Sequence, residues 1–265
     1  MRAILSLVLA VGLSPAVSAG PVFDHSPFTR ILLTYVDSNG LVDYAALKAD
    51  RHELDAYADS LAAVSPKNAP ERFPTEADRL AYWINAYNAL CLKGVVDAYP
   101  VKSVKDIKLL SGFFNRTWFK VGGDSYTLDN IEHDVIRKEF DEPRIHAAIN
   151  CASMGCPPIS SSAYTGEELE AQLDRAIRGF LTNPVHVRID PEKREVELSK
   201  ILDWFESDFT GWYERNYNVD DASILDYVAL YVSDAGIPES FSQWKVRHID
   251  YDWTLNDVAA VGSAD

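Results

Sequence analysis

The sequence lacks three features that would each define a class of protein. It contains no run of lysine or arginine, and its formal net charge is −15 at pH 7. Because phosphate backbones and anionic lipid surfaces bind clustered positive charge, nucleic acid and such membranes are disfavoured as partners. No apolar segment reaches the roughly 20 residues that span a bilayer, so stable membrane insertion is not expected. The three cysteines are too few for a small disulfide-dense scaffold.

The N-terminus has the organisation of a secretory signal peptide. Arg2 forms a short basic region, an apolar run extends from Ala3 to Leu13, and Val17-Ser18-Ala19 is a small-x-small cleavage pattern. No cysteine follows the cleavage position directly, so a lipid anchor is not indicated. We therefore expect residues 1–19 to be removed after Ala19, and the mature chain to be periplasmic or secreted.

The remaining chain, residues 20–265, is expected to form one compact α+β domain. Hydrophobic residues make up 47% of the sequence, with six tryptophans, which is ample for a core. Helical and strand patterns do not alternate as βαβ units, so the sheet should be mixed or antiparallel. The segment Leu80 to Leu92 carries no charge. A helix that is apolar all round is a buried one, and it should lie at the centre.

Periodicity and turn signals predict the other elements. The expected helices cover 28–36, 44–64, 129–140, a capping-box helix from Thr165, 200–209 and 223–232, and hairpins span 118–128 and 185–198. A strand at 145–150 would place His146 and Asn150 on one face. A last strand would pass through Ile249, Tyr251 and Trp253, within a C-terminal strand and tail at 244–265.

The segment RIHAAINCASMGCPP, residues 144–158, concentrates reactive side chains. Cys151 and Cys156 can form a short-loop disulfide in an oxidising compartment. Alternatively, Cys151 is a nucleophilic thiolate. On an extended strand His146 would lie about 16 Å from Cys151, which favours His133 as its base.

A third alternative is a metal site using both thiolates with His146 or His133. The C-x4-C spacing is at the edge of those that bind metals, so no metal or cofactor is expected. Cys91, on the apolar helix, is expected only to pack.

Three further polar residues fall on apolar helix faces. Asn85 and Asn88 either bind the backbone of an adjacent loop, or one of them orients a catalytic imidazole. Glu132 lies near the centre of the apolar face of helix 129–140. It either forms a capping box with Asp129 or is buried beside Arg137 or Arg144, which would perturb its pKa.

Five segments together resemble the family called domain of unknown function 547. They are YVDSNGLVDYAAL (35–47), AYWINAYNAL (81–90), the Glu132-His133 pair, RIHAAINCASMGCPPI (144–159) and LSKILDWFESDF (198–209). The resemblance spans a core from about 28 to 232. It implies a shared fold, no particular reaction, and a shared polar cluster of Asn85, Asn88, Glu132, His133, Arg144, His146, Asn150, Cys151 and Cys156.

Two hypotheses from different classes follow. The first is an exported thiol enzyme that hydrolyses or transfers an amide or thioester of a small-molecule or peptide-like substrate. Its catalytic residues would be Cys151 as nucleophile, His133 as base and Glu132 or Asn85 as the orienting group. Arg144 would bind an anionic group, and His146, Asn150 and Asn88 would contact substrate. The second is a non-catalytic periplasmic binding or structural module in which Cys151 and Cys156 form a disulfide.

Overall fold

Three helices begin the part of the chain that the structure describes. The structure is a computed structural model, and it describes residues 21–108, 112–232 and 236–261, so the predicted signal peptide lies outside it. The helices are α1 (Ser26–Tyr35), α2 (Tyr44–Ala49) and α3 (His52–Ala63). The prediction of one helix over 44–64 is wrong, because the backbone leaves the helical region at Asp50 (φ −129°, ψ 61°). The Tyr35 hydroxyl contacts Asp50 at this break.

A long helix, α4 (Glu76–Ala98), runs through the core. Thr75 and Asp78 form a capping box at its start, and each satisfies a backbone N–H of the other. Every residue from Leu80 to Leu92 is buried, which confirms the predicted central helix. Helices α2 and α3 and the helical segment at 130–136 all pack on it.

The hairpin predicted at 118–128 is present but shorter. After α5 (Gly112–Arg116), strands β1 (Phe119–Val121) and β2 (Asp124–Tyr126) pair antiparallel. Gly122 and Gly123 form the turn with φ of 58° and 90°, values that glycine adopts without strain. A π-helix (Asn130–Ile136) follows and continues into α6 (Arg137–Glu139).

The strand predicted at 145–150 is wrong. Pro143 to Ala147 form a 3-10 helix, which Pro143 starts with a φ suited to a first helical turn and which the Glu142 carboxylate caps. Residues 145–150 are all buried, so their alternating pattern does not mark a buried and a solvent-facing side. Because the segment is not extended, the separation of His146 and Cys151 inferred from strand geometry does not apply.

The second half of the chain contributes a three-stranded mixed sheet. Strand β3 (Val187–Asp190) pairs antiparallel with β4 (Glu195–Ser199), and β5 (Lys245–Ile249) pairs parallel with β4. The last strand therefore ends before Tyr251 and Trp253, contrary to the prediction. The helices of this half are α7 (Leu169–Leu181), α8 (Lys200–Trp204), α9 (Glu206–Tyr217), α10 (Ile224–Val232) and α11 (Val258–Val261).

Two predicted helices in this half differ in detail from the observed ones. The helix expected over 200–209 is interrupted at Phe205, which separates α8 from α9. Helix α7 begins four residues after Thr165, whose hydroxyl accepts only a long hydrogen bond (3.4 Å) from the Glu168 N–H.

Buried side chains form two hydrophobic clusters within a single α+β domain. One surrounds α4, and the other lies between α7, α9, α10 and the mixed sheet. The fold class predicted from the sequence is confirmed. In the described ranges, no helix combines the length and hydrophobicity needed to cross a bilayer.

Candidate functional site: a cavity walled by a cystine

A cavity of about 240 Å³ opens where the two halves of the chain meet. Its aromatic walls are Tyr87, Phe114, Trp204, Phe205, Tyr251 and Trp253. Its titratable or sulfur-bearing side chains are Asp129, Glu132, His133, His146, Cys151 and Cys156. Five side chains that the sequence singled out for chemistry are thus brought to one place.

Cys151 and Cys156 are joined by a disulfide whose Cα atoms are 6.3 Å apart, within the usual range. The backbone N–H of Cys151 donates to Sγ of Cys156 at 3.0 Å. The Tyr251 hydroxyl lies 2.8 Å from Sγ of Cys151 and 3.2 Å from Sγ of Cys156. Ser153 Oγ lies 3.0 Å from Sγ of Cys151. Cys151 is partly exposed, whereas Cys156 is only 7% exposed.

The cysteine loop is fastened to the C-terminal segment. The N–H groups of Met154 and Gly155 donate to the carbonyls of Thr254 and Asp252, both at 2.8 Å. A side chain at Gly155 would come within 2.9 Å of the Tyr251 ring and 3.0 Å of the Asp252 backbone. Glycine is therefore required for this approach, and the approach positions the Tyr251 hydroxyl at the sulfurs.

The carboxyl of Glu132 reaches the cavity from the π-helix, a rare helix form that is often found at functional sites. Burial raises the pKa of this carboxyl to about 7, although the nearby Arg137 guanidinium opposes the shift. The Tyr87 hydroxyl hydrogen-bonds to it. The capping-box alternative is wrong, because the Asp129 side chain makes no cap hydrogen bond. The group can therefore exchange a proton near neutral pH.

His146 is held by Asp208 from α9. Its Nε2 lies 2.8 Å from Oδ2 of Asp208, and its ring stacks on Phe205 with centroids 4.0 Å apart. Burial lowers the pKa of His146, and the contact with Asp208 opposes this shift. Burial alone would raise the pKa of Asp208, but hydrogen bonds from His146 and Arg137 hold it well below its usual value. Asp208 therefore stays ionised and orients the imidazole.

Both ring nitrogens of His133 have neighbours. Nδ1 lies 2.9 Å from Nη1 of Arg137, and Nε2 lies 3.5 Å from Oδ1 of Asp129. Because a guanidinium can only donate, Nδ1 must accept, and His133 is neutral with its proton on Nε2. Burial likewise lowers the pKa of His133. The nitrogen that could act as a base is therefore occupied by Arg137.

Asn85 and Asn88 of α4 hydrogen-bond to backbone groups, which is the first of the two alternatives predicted for them. Asn85 Nδ2 donates to the Tyr164 carbonyl (2.7 Å), and Asn85 Oδ1 accepts from the Tyr164 N–H (2.9 Å). Asn88 bonds in the same way to the Ala148 carbonyl (2.9 Å) and the Asn150 N–H (2.8 Å). Neither side chain lines the cavity.

Asn150 and Arg144 also lie outside the cavity wall. Asn150 donates to the Pro157 carbonyl and accepts from the Ala152 N–H, both at 2.8 Å, which shapes the cysteine loop. The Arg144 guanidinium is engaged by Glu142 and Glu170. The cation near Glu132 is therefore Arg137, and Arg144 has no contact with it.

Four polar residues whose side chains hydrogen-bond to the candidate groups were missed by sequence reasoning, namely Tyr87, Ser153, Asp208 and Tyr251. Tyr251 lies 100 positions from Cys151, and Asp208 lies 62 positions from His146. Only tertiary structure brings them together. The described residues contain no group of three or more His, Cys, Asp or Glu side chains that could hold a metal ion.

The central part of the chain matches a known protein family. Residues 71–181 match the family described as protein of unknown function, DUF547. This confirms the family resemblance over residues 71–181, and the predicted extension of the family core to about 28–232 stays a prediction. Comparisons with curated proteins and with solved structures returned no significant match.

Proposed function

We propose that this chain is an exported thiol–disulfide exchange protein whose reacting group is the Cys151–Cys156 pair. The observation that carries the proposal is the position of the disulfide. It forms part of a cavity wall, the Cys151 N–H donates to Sγ of Cys156, and the Tyr251 hydroxyl contacts both sulfurs. Hydrogen-bond donors at sulfur stabilise a thiolate, which is the species that exchanges.

The exchange needs a co-reactant that carries two thiols, such as a small dithiol or a cysteine-containing peptide. One substrate thiolate attacks Sγ of Cys151, the more exposed of the two cysteines, and a new S–S bond forms. The Cys151–Cys156 bond breaks, and Cys156 leaves as a thiolate that accepts a hydrogen bond from the Cys151 N–H. The second substrate thiol then attacks the mixed disulfide and releases the Cys151 thiolate. Two electrons pass from substrate to cystine, and the substrate leaves as a disulfide.

Glu132 supplies a proton carrier in the same cavity. Its pKa of about 7 lets the carboxylate accept a proton from an incoming thiol and return it to a leaving thiolate near neutral pH. The predicted export fits this chemistry, because disulfides persist in the periplasm and outside the cell. The periplasmic or secreted location belongs to the same proposal.

A second candidate is the thiol hydrolase or transferase that acts on an amide or thioester. With the disulfide reduced, Cys151 would attack the carbonyl carbon, and a histidine would take its proton. The observation that favours this candidate is the His146–Asp208 hydrogen bond, since a carboxylate that orients an imidazole is a recurring arrangement in such enzymes. His133 suits the role less well, because Arg137 occupies its Nδ1.

Trapping of the mixed disulfide tests the leading proposal. We expect Cys156→Ala to form a stable adduct with a peptide disulfide at Cys151, detected by mass spectrometry, because the resolving sulfur is missing. Cys151→Ala should form the adduct at least about tenfold more slowly, since the remaining thiol is shielded. Cys91→Ala is the matched control. It removes a cysteine that is 1% exposed and should behave as the wild type.

Two outcomes would contradict exchange. A cystine that resists excess dithiol in the native protein would favour the non-catalytic module with a structural disulfide. Thioester cleavage by the reduced protein, lost in Cys151→Ala and without any mixed disulfide in Cys156→Ala, would favour the hydrolase or transferase.

A further inference from the structure

The hydroxyl of Tyr251 is placed between the two sulfurs of the cystine. It lies 2.8 Å from Sγ of Cys151 and 3.2 Å from Sγ of Cys156. Ser153 Oγ lies 2.7 Å from the same hydroxyl and 3.0 Å from Sγ of Cys151. Ser153 is only 1% exposed, so water has little access to its hydroxyl. The three groups form a closed triangle of polar contacts around Cys151.

The number of available protons limits the hydrogen bonds that this triangle can form. A disulfide sulfur has no proton to donate, so two hydroxyl protons serve three contacts. If both hydroxyls donated to sulfur, the two oxygens would meet at 2.7 Å without a proton between them. One hydroxyl therefore donates to the other, and the second donates to sulfur. Tyr251 reaches both sulfurs, whereas the Ser153 contact is with Cys151.

We infer that the Tyr251 hydroxyl is the thiolate-binding group of this site, and that Ser153 is a positioning residue that donates to the Tyr251 oxygen. After reduction, the phenol O–H can donate to either thiolate and can follow the negative charge from Cys156 to Cys151. Chains of hydrogen bonds polarise one another, so a proton donated by Ser153 strengthens the bond from Tyr251 to sulfur. The inference rests on the proposed function, because it assigns the group that stabilises the exchanging species.

The surroundings of Tyr251 suit a fixed donor. Its ring packs against both Trp204 and Trp253, at centroid distances of 4.9 and 4.5 Å. Backbone hydrogen bonds at Asp252 and Thr254, directly after Tyr251, hold this segment to the cysteine loop. Burial raises the pKa of Tyr251, so the phenol keeps its proton well above neutral pH. A phenol that stays protonated and cannot turn away remains a donor throughout the exchange.

Other groups near this triangle also influence a thiolate at Cys151. The titratable side chains that face the cavity are Tyr87, Asp129, Glu132, His133 and His146. Asp252 and Cys91 add electrostatic effects at Tyr251. All of them remain in place when a single hydroxyl is removed, so matched variants isolate the hydroxyl.

The test measures the pKa of the Cys151 thiol in the Cys156→Ala protein, from the pH dependence of iodoacetamide alkylation. We expect Tyr251→Phe to raise this pKa by about one to two units, because a charge-assisted hydrogen bond to the thiolate is lost. Ser153→Ala should raise it by less, since Tyr251 can still donate. Tyr213→Phe, a partly exposed tyrosine stacked on Tyr217, is the control and should leave the pKa unchanged.

The ranking of the variants decides the inference. A larger shift in Ser153→Ala than in Tyr251→Phe would assign the thiolate contact to Ser153, and the inference would fail. Equal pKa values in all variants, with thermal unfolding confirming that each is folded, would also overturn it. Alkylation needs no disulfide substrate. A normal Tyr251 effect without any mixed disulfide would therefore contradict the proposed exchange and leave the Tyr251 assignment intact.

Discussion

Glu132 is a carboxyl group whose environment favours its neutral form. Burial raises its pKa to about 7 from an ordinary value of 4.5. The folded protein therefore binds this proton more tightly than the unfolded chain does. Its contribution to stability is fully present below pH 4.5, falls as the pH rises, and is lost above about pH 7.

The substitution Glu132→Gln should change how stability depends on pH. Because glutamine does not ionise, the free energy of unfolding of the variant should rise relative to that of the wild type as the pH increases from 4.5 to 7. The expected difference is up to about 3 kcal/mol. Urea denaturation across this range measures the difference. Glu139→Gln, at an exposed position of α6, serves as the control. A constant difference between Glu132→Gln and the wild type at all pH values would show that the carboxyl is not buried as described.

At the scale of single residues, the sequence revealed side chains that are unusual for their position, but it did not reveal the residues that contact them. Glu132 stood out because it lies on an apolar helix face, and the cysteine segment stood out by its composition. Asp208 and Tyr251 gave no such signal, because each looks ordinary among its sequence neighbours. Their roles depend on contacts with residues 62 and 100 positions away, which periodicity does not reveal.

At the scale of elements, the predicted helices and hairpins were mostly confirmed, and the errors have physical causes. Hydrophobic periodicity separates a strand from a helix only when one side faces solvent. Residues 145–150 are all buried, so the alternation in their sequence did not distinguish a strand from a helix. The 3-10 helix that begins at Pro143 sets the backbone conformation here. The breaks at Asp50 and Phe205 likewise lie inside patterns that read as continuous helices.

Helix α4 stabilises the site by holding the loop that precedes the cystine. Asn88→Ala would leave the buried Ala148 carbonyl and Asn150 N–H without their partner. We expect the free energy of unfolding to fall by about 2–4 kcal/mol, measured by urea denaturation. Asn216→Ala is the matched control, because that exposed side chain makes a single bond to the Trp212 carbonyl. A similarly small effect of both substitutions would mean that Asn88 does not hold the loop.

At the scale of the whole molecule, the site extends beyond the family domain. The match covers residues 71–181, which include both cysteines, Glu132 and the two histidines. Ile201, Trp204, Phe205, Tyr251 and Trp253 complete the cavity from the C-terminal side. The DUF547 segment thus supplies the sulfur and acid groups, and the later part of the chain supplies most of the aromatic wall.

The predicted signal peptide is testable on the intact molecule. Expression of the full chain in a bacterium should yield a periplasmic or secreted protein that begins at Gly20, as read by N-terminal sequencing. Ala19→Tyr should block the cut, because signal peptidase requires a small residue there. Ala16→Val, outside the small-x-small pair, is the control. An N-terminus at Met1 in the exported wild type would contradict the prediction.

The attachment of the C-terminal segment to the cysteine loop also orders events in time. Tyr251 follows Cys156 by 95 residues, and a chain is synthesised and exported from its N-terminus. With the export proposed above, both thiols emerge into an oxidising compartment before Tyr251 does. During that interval they react as ordinary thiols, and the cystine acquires its tuned environment only when the last strand docks beside β4.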